Sequence, residues 1–201
     1  MKNNLLSRLA IFGVLTIFFD IIIISVITPS YSHLTQTISE LNAKGADNAQ
    51  IFNIFLTIGL ASLAISSISF IKQRSTISKL SGFLIILSIL ITIVMNWFFP
   101  MDAIEGVRTS ADKIHNGFIT YAILIFLISQ VLAIKFWHDE NKKNIRNFTI
   151  ILFSIALAFG FLSLVSNYQQ SELINFSERG WMVCFLAYFV LLSSNVVEYN
   201  K

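Results

Sequence analysis

Charge is scarce in this sequence. Asp, Glu, Lys and Arg together make up 12% of its 201 residues, where a soluble domain carries roughly 25%. That shortage excludes a water-soluble fold, and a mean hydropathy of +0.74 agrees. The single cysteine, Cys184, rules out an internal disulfide; it lies in an apolar run, where a thiol packs as a small hydrophobe. There are two prolines, Pro29 and Pro100. Both fall at the ends of apolar runs, where a missing N–H costs little and the ring helps to stop a helix. Patterns that announce familiar chemistry are missing too: no C-x-x-C, H-E-x-x-H, phosphate-binding loop or G-x-S-x-G. The chain has no internal repeat, and no gap between apolar runs is long enough for a soluble domain. The small net charge of +3 does not point to nucleic acid, because Lys and Arg set topology in membrane proteins.

What is present is apolar length. Six runs, at 8–28, 49–71, 79–99, 116–137, 148–168 and 178–198, are long enough to cross a bilayer as helices. None alternates with period two, so strands are not expected. The sequence therefore predicts a single all-α integral membrane domain over 1–201, a polytopic bundle of six transmembrane helices. The first run is too long for a signal-peptide core, lacks a small-residue cleavage site and carries Asp20, so it is expected to stay. Orientation follows from the cations. Ten Lys and Arg fall on the side of the termini and the even-numbered connections; Lys44, Arg108, Lys113 and Arg179 fall on the other. Both termini are accordingly expected in the cytoplasm, in a multi-pass protein of the cell membrane, in bacteria the inner membrane.

The expected external connections are rich in chemistry. In PSYSHLTQTISELNAKGADNAQ, Tyr31, Leu34, Ile38 and Leu41 recur at helical spacing. A short amphipathic helix at the outer interface is expected there, with Gly45 as its stop. Asp47 and Gln50 read as a capping box for the second span. The second external connection lies in NWFFPMDAIEGVRTSADKIHNGF, 96–118, which gathers Asp102, Glu105, Asp112, Arg108, Lys113 and His115. Ser110 is placed to cap the fourth span, with Asp112 in its first turn and His115 on the same face.

Polar residues inside the spans crowd the same end. Asn53, Asn96, Asn116, Thr120, Tyr121, Ser166, Asn167 and Tyr168 fall in the outer third, with Asp20 somewhat deeper and Gln130 and Asn195 as exceptions. A carboxylate near a helix centre costs roughly 2.5–3.5 kcal/mol on the insertion scale, so Asp20 has to face the bundle interior or water. Asn53 and the polar residues of the fifth span are its expected partners. Together these residues suggest a polar pocket open to the outside. Each span also has one glycine (Gly13, Gly59, Gly82, Gly117, Gly160, Gly180), and Ala156 with Gly160 forms a small-xxx-small pair, as close helix packing needs.

The stretches YSHLTQTISEL (31–41), Phe52-Asn53, FFPMD (98–102), His115 and ERG (178–180) occur in an order that resembles the membrane protein family known as domain of unknown function 998. The likeness spans nearly the whole chain; Ser39-Glu40 and Pro100-x-Asp102 carry most of it. It implies a six-helix bundle with motif positions Tyr31, Ser39, Glu40, Asn53, Pro100, Asp102, His115, Glu178 and Arg179. It implies no activity. These positions, without the proline, are the candidate ligand-binding residues, expected in one cluster at the outer rim. There Arg179 would clamp a phosphate or carboxylate, with Glu40 and Asp102 as its counter-ions. The leading reading is a protein that binds or handles a small polar or lipid head-group ligand at the outer leaflet, with membrane lipids as partners. No cofactor, metal or nucleic acid is called for, and a homo-oligomer or larger membrane complex stays open. The alternatives are a metal-dependent membrane-embedded hydrolase drawing on His33, His115, Asp102, Asp112 and Glu40, and a proton-coupled carrier with Asp20 as relay and His115 as gate.

Overall fold

The computed structural model describes residues 3–29, 31–32, 35–102, 109–169 and 173–195. Six helices follow one another: α1 (Asn3–Ile27), α2 (Ala49–Ile71), α3 (Thr76–Phe98), α4 (Ser110–Asp139), α5 (Lys143–Gln169) and α6 (Leu173–Asn195). All six are long and apolar enough to cross a membrane. Among the described residues the only β pairing is an isolated bridge between Lys44 and Asp102. In lipid every backbone N–H and C=O has to be satisfied within the protein, and helices do this without a partner strand. Hydroxyls inside the spans are satisfied the same way. Thr16 donates to Phe12 O, Ser62 to Ile58 O, Ser67 to Leu63 O and Thr149 to Ile145 O, so Ser and Thr sit in these helices without exposing a polar group to lipid. The fourth, fifth and sixth helices begin at 110, 143 and 173, several residues before their expected apolar runs. The first turns of α4 (SADK) and α5 (KNIR) are polar, and hydropathy alone does not see a polar first turn; α6 opens on LINF, ahead of the polar Ser177–Arg179.

Sequential helices pack as antiparallel neighbours, and α6 returns to α1, where the Ser7 hydroxyl donates to Ser193 O at 2.7 Å. Interhelical bonds tie the centre. Ser81 and Ser88 of α3 donate to Ser129 O and Ala122 O of α4 at 2.9 and 2.8 Å, and the Trp97 indole donates to the Thr57 hydroxyl at 2.8 Å. Phe126 of α4 reaches straight to α6, against Trp181, Phe185, Tyr188 and Phe189. The fifth helix is peripheral: 17% of its most apolar window is buried, against 50% for α2. Cys184 is buried, packed with Leu127 and Ala156.

Four glycines serve close approach. A Cβ on Gly13 would stand 2.7 Å from Gly59 O, one on Gly59 2.5 Å from Ile17, one on Gly82 2.7 Å from Phe70, and one on Gly180 would collide with the Phe159 ring. Gly117 and Gly160 have nothing within 4 Å. The expected small-xxx-small contact is therefore made by Ala156 alone, which is fully buried. Antiparallel packing sets the ends of α1, α3 and α5 with the starts of α2, α4 and α6 at one end of the bundle; the starts of α1, α3 and α5 and the short connections after α2 and α4 lie at the other.

Candidate functional site

The first of these ends is roofed by the chain between α1 and α2. Its regular part is shorter than the expected amphipathic helix. It is a five-residue 3-10 helix, Ile38–Asn42, with Thr37 at its N-cap and its apolar residues Ile38 and Leu41 buried against the bundle. A helix start leaves backbone N–H groups without intrahelical partners, and here each one is met. Glu40 turns back to accept from Thr37 N at 3.0 Å and from its hydroxyl at 3.1 Å. Glu178 of α6 accepts from Ile38 N at 2.7 Å, from Ser39 N at 3.2 Å and from the Ser39 hydroxyl. Beside it, Arg179 donates to the Tyr31 hydroxyl at 2.9 Å and Gln36 O at 3.0 Å, and to Asn175 O of its own helix at 3.1 Å. The Tyr31 hydroxyl itself donates to Thr37 O at 3.0 Å, and burial pushes its phenol up to about 12. Two adjacent residues of opposite charge thus grip one segment twice, the carboxylate on its N–H groups and the guanidinium on its oxygens. Charge-assisted bonds of this kind are about twice as strong as neutral ones. We call this segment the cap, and the end it covers the capped end.

Beyond the cap the backbone turns at Gly45, φ +87°, a conformation glycine adopts without strain. Lys44 N donates to Met101 O at 2.8 Å, and its ammonium pairs with Asp102 at 2.8 Å. The Lys44 ammonium, with the Thr109 hydroxyl, holds the Asp102 carboxyl below the usual carboxylate range. Asp112 closes the second loop. One oxygen accepts from Asp102 N and the other from Thr109 N, both at 2.9 Å, while Thr109 Oγ1 accepts from Asp112 N. The N-cap of α4 is therefore Thr109, not Ser110. Asp47 and Gln50 do not cap α2 either. Its N-cap is Asn48, whose amide reaches back to Ile27 O and the Thr28 hydroxyl at 3.4 and 3.1 Å.

Under the cap lies a chain of three buried amides that sequence reading had not assembled. Asn96 Nδ2 donates to Thr92 O at 2.9 Å; Asn42 Nδ2 donates to Asn96 Oδ1 at 2.8 Å and to Asn96 O at 3.0 Å; Asn53 Nδ2 donates to Asn42 Oδ1. The direction of this chain is fixed from one end. A backbone carbonyl can only accept, so Asn96 must present its nitrogen to Thr92 O and its oxygen to Asn42, and each amide after it follows in turn. The free end is Asn53 Oδ1, which is buried and without a partner. His115 is fully buried and its Nδ1 lies 2.8 Å from Phe99 O. The same reasoning puts the proton on Nδ1 and leaves Nε2, also without a partner, as an acceptor.

Asp20 lies somewhat deeper. The buried positions of α1 are Ala10, Gly13, Ile17, Asp20, Ile24 and Ser25, and Gly13 and Ile17 meet α2. Gly13 and Ile17 meet Gly59, and Thr28 meets Asn48. Between those ties the antiparallel register sets Asp20 opposite Phe52–Leu56. The Ser7–Ser193 bond likewise sets it near Gly180. Seven residues from the end of α1, it is about 10 Å below that end. It is 5% exposed, and neither carboxylate oxygen has a partner.

The structure therefore brings Tyr31, Ser39, Glu178 and Arg179 together, with Glu40 in the same segment. It does not make Glu40 and Asp102 the counter-ions of Arg179, whose donors go to other oxygens. A run of 178–198 sets Arg179 in the first turn of its helix, whereas α6 is Leu173–Asn195 and Arg179 is more than a turn further in. Asp102 and His115 belong to the second loop and its walls. Asn96 was expected in the outer polar layer and lies there; Asn42, Lys44 and Gln36 are contributors that the sequence did not place in the site. His33, Glu105 and Arg108, and the side chains of Ser166, Asn167, Tyr168 and Asn195, lie outside the described residues. Among the described residues no three His, Cys, Asp or Glu side chains are grouped to hold a metal.

Six apolar helices around a buried polar layer define a multi-pass helical membrane protein. The chain belongs to a family described as protein of unknown function (DUF998), which it matches over residues 10–195. Neither a curated protein nor a solved structure matches it.

Proposed function

We propose that the protein binds or handles a small polar or lipid head-group ligand in the polar layer beneath the cap, and that the capped end faces outward. The observation that carries this reading is the unpartnered Asp20 carboxylate on a buried seam of a membrane-spanning helix. A group that costs this much to insert is kept where it has work to do, and ionisable residues within spans mark ligand or ion sites. The cap fits the same reading. It is a lid held by side-chain bonds, and a lid is needed only over something. Arg179 and Glu178 then belong to the lid, since their polar atoms already hold it, while Asp20, Asn53 and His115 face the ligand. Orientation is supported by the described cations: Arg8, Lys72, Arg74, Lys79, Lys135, Lys142, Lys143 and Arg146 at the plain end against Lys44, Lys113 and Arg179 at the capped end. The cap residues then line the outer interface that the sequence assigned to an amphipathic helix.

The test has two parts. A reporter inserted after Gly45 should read as external and one in 140–142 as cytoplasmic. Native mass spectrometry of the gently solubilised protein should show a retained small molecule or lipid that Asp20→Asn loses. Reversed reporters, or identical spectra for both proteins, would remove the reading. A proton-coupled carrier is the second reading, favoured by the same lone carboxylate.

A further inference from the structure

We infer that the cap is a gate, latched to α6 and hinged on α2 and α3. Residues 31–41 let go of Glu178 and Arg179 and swing about Asn42–Lys44, which opens the polar layer on its α6 side. This rests on the outward-site reading above and gives that site its route of entry. The two ends of the cap are held by different chemistry. Among the described residues, every hydrogen bond that leaves the segment from Gln36 to Ser39 ends on Glu178 or Arg179. Arg179 also holds the Tyr31 hydroxyl. From Asn42 onward the bonds run elsewhere: Asn42 to Asn96 and Asn53, Lys44 to Met101 O and Asp102.

The hinge is built into the sequence. In an α-helix Asn96 O accepts from the N–H four residues on, but that residue is Pro100, which has none. The freed carbonyl takes Nδ2 of Asn42 at 3.0 Å and of Asn53 at 3.5 Å. Asn42, Asn53 and Asn96 are 1%, 8% and 6% exposed, so parting them would orphan several polar groups away from water. The latch differs. Glu178 and Arg179 are half-buried, and a small movement returns their charges to water, which offsets the bonds they give up. The moving part keeps its own bonds as well. Gln36 N donates to Ser32 O, Ser32 N to Gln36 Oε1, the Tyr31 hydroxyl to Thr37 O and Thr37 N to Glu40. It therefore leaves α6 as a folded unit, and the donors it surrenders to water are the Ile38 and Ser39 N–H groups and the Ser39 hydroxyl.

The test reads opening and access without a ligand. Hydrogen exchange at single amides is measured in nanodiscs on wild-type, Arg179→Gln and Tyr31→Phe proteins. Both variants leave the acceptor of Ile38 N and Ser39 N in place, so faster exchange there reports release of the latch as a unit rather than loss of one bond. Arg179→Gln should speed both amides at least about tenfold, since bonds to a charged group are lost. Tyr31→Phe should speed them less, and Lys44 N should not change in either. For access, a charged methanethiosulfonate reagent is applied to Asn53→Cys in a Cys184→Ala background. Ser67→Cys, also at a buried position of α2 but toward the plain end, is the control. Arg179→Gln should speed modification of Asn53→Cys by a similar factor and leave Ser67→Cys unmodified. Unchanged Ile38 and Ser39 amides overturn the latch, and equal acceleration at Lys44 N overturns the hinge. Equal modification at 53 and 67 means that the whole bundle loosens, and overturns the gate. Should Arg179→Gln not fold, Tyr31→Phe carries both measurements. Failure of the outward site shows elsewhere, in reversed reporters with the latch still opening, so the two are told apart.

Discussion

The two ends of this bundle are closed by opposite means. At the plain end the connections are minimal. The turn between α2 and α3 starts from a Ser75 N-cap bonded to Ser78 N at 3.5 Å, and the turn after α4 uses Asn141 at φ 56°. The filling there is aromatic: Phe70, Phe136 and Trp137 pack tilted or edge-to-face, with centroids 4.7 to 6.1 Å apart. At the capped end the chain runs from Thr28 to Asn48 between α1 and α2, and the side chains of Tyr31, Ser39, Asn42, Lys44 and Asn48 in it are bonded to other parts of the chain. Turns of two to four residues would have joined the helices there as well. The difference teaches that the longer segment is not connective. Its bonds come from α6, α3 and the second loop, so it reports on the arrangement of most of the bundle. The plain end reports only on its own hairpins.

That contrast can be broken at its strongest point. Glu178→Ala removes the acceptor for two backbone N–H groups and a hydroxyl at once. A loss of roughly 3 kcal/mol is expected, from charge-assisted bonds worth about 1.5–3 kcal/mol each. Thermal melting should show a large fall, and limited proteolysis should cut within 31–48 long before the plain-end turns. Glu178→Gln, which keeps an acceptor, should recover part of the loss. If the cap stays resistant to protease in Glu178→Ala, the grip from α6 is incidental.

The amide chain comes next. Asn42→Leu leaves Asn96 Oδ1 buried without a partner and Asn53 Nδ2 with only its long bond to Asn96 O at 3.5 Å, at a cost of about 1–3 kcal/mol for an orphaned group, read as a fall in melting temperature. A matched change at the plain end sharpens the comparison: Ser75→Ala removes one N-cap and should cost about 1 kcal/mol, with no effect on protease cutting in 31–48.

How much of this could be read beforehand divides along the same line. Six spans, their order and the buried setting required of Asp20 follow from run length and insertion cost, which are properties of single helices. The crowding of polar residues toward one end was also visible. What was not visible is pairing. Glu40 looked like a counter-ion because it is acidic, yet three residues after Thr37 it is also a capping acidic residue, and the nearer partner won. The frame at α4 was legible in principle. Thr109 and Ser110 both suit an N-cap, but an acidic residue at the third helical position selects Thr109, since Asp112 then closes the box. Asn42 gave no signal at all. Its role depends on Asn53 and Asn96 reaching the same depth from two other helices, a fact of three-dimensional register that spacing along one segment does not contain.

The smallest expected effect separates the rim of the capped end from its interior. The Lys44–Asp102 pair sits in the open, with the Lys44 side chain 57% exposed and that of Asp102 22%, so solvent and salt screen it. Its signature is a pH dependence. The hydrogen bond from Lys44, with that from Thr109, lowers the carboxyl pKa in the folded state. A depressed folded pKa stabilises the fold above the unfolded value of about 3.9 and is lost as pH falls through the folded value. Wild-type protein should therefore melt slightly higher than Asp102→Asn at neutral pH, and the gap should narrow as the carboxyl protonates in acid. High salt should shrink the gap at neutral pH as well. The cap bonds made by Glu178 and Arg179 should not respond to salt in this way, being shielded by the segment they hold. A salt-sensitive loss of cap protection from protease would mean that the roof is held from its rim by Lys44 and Asp102 rather than from α6.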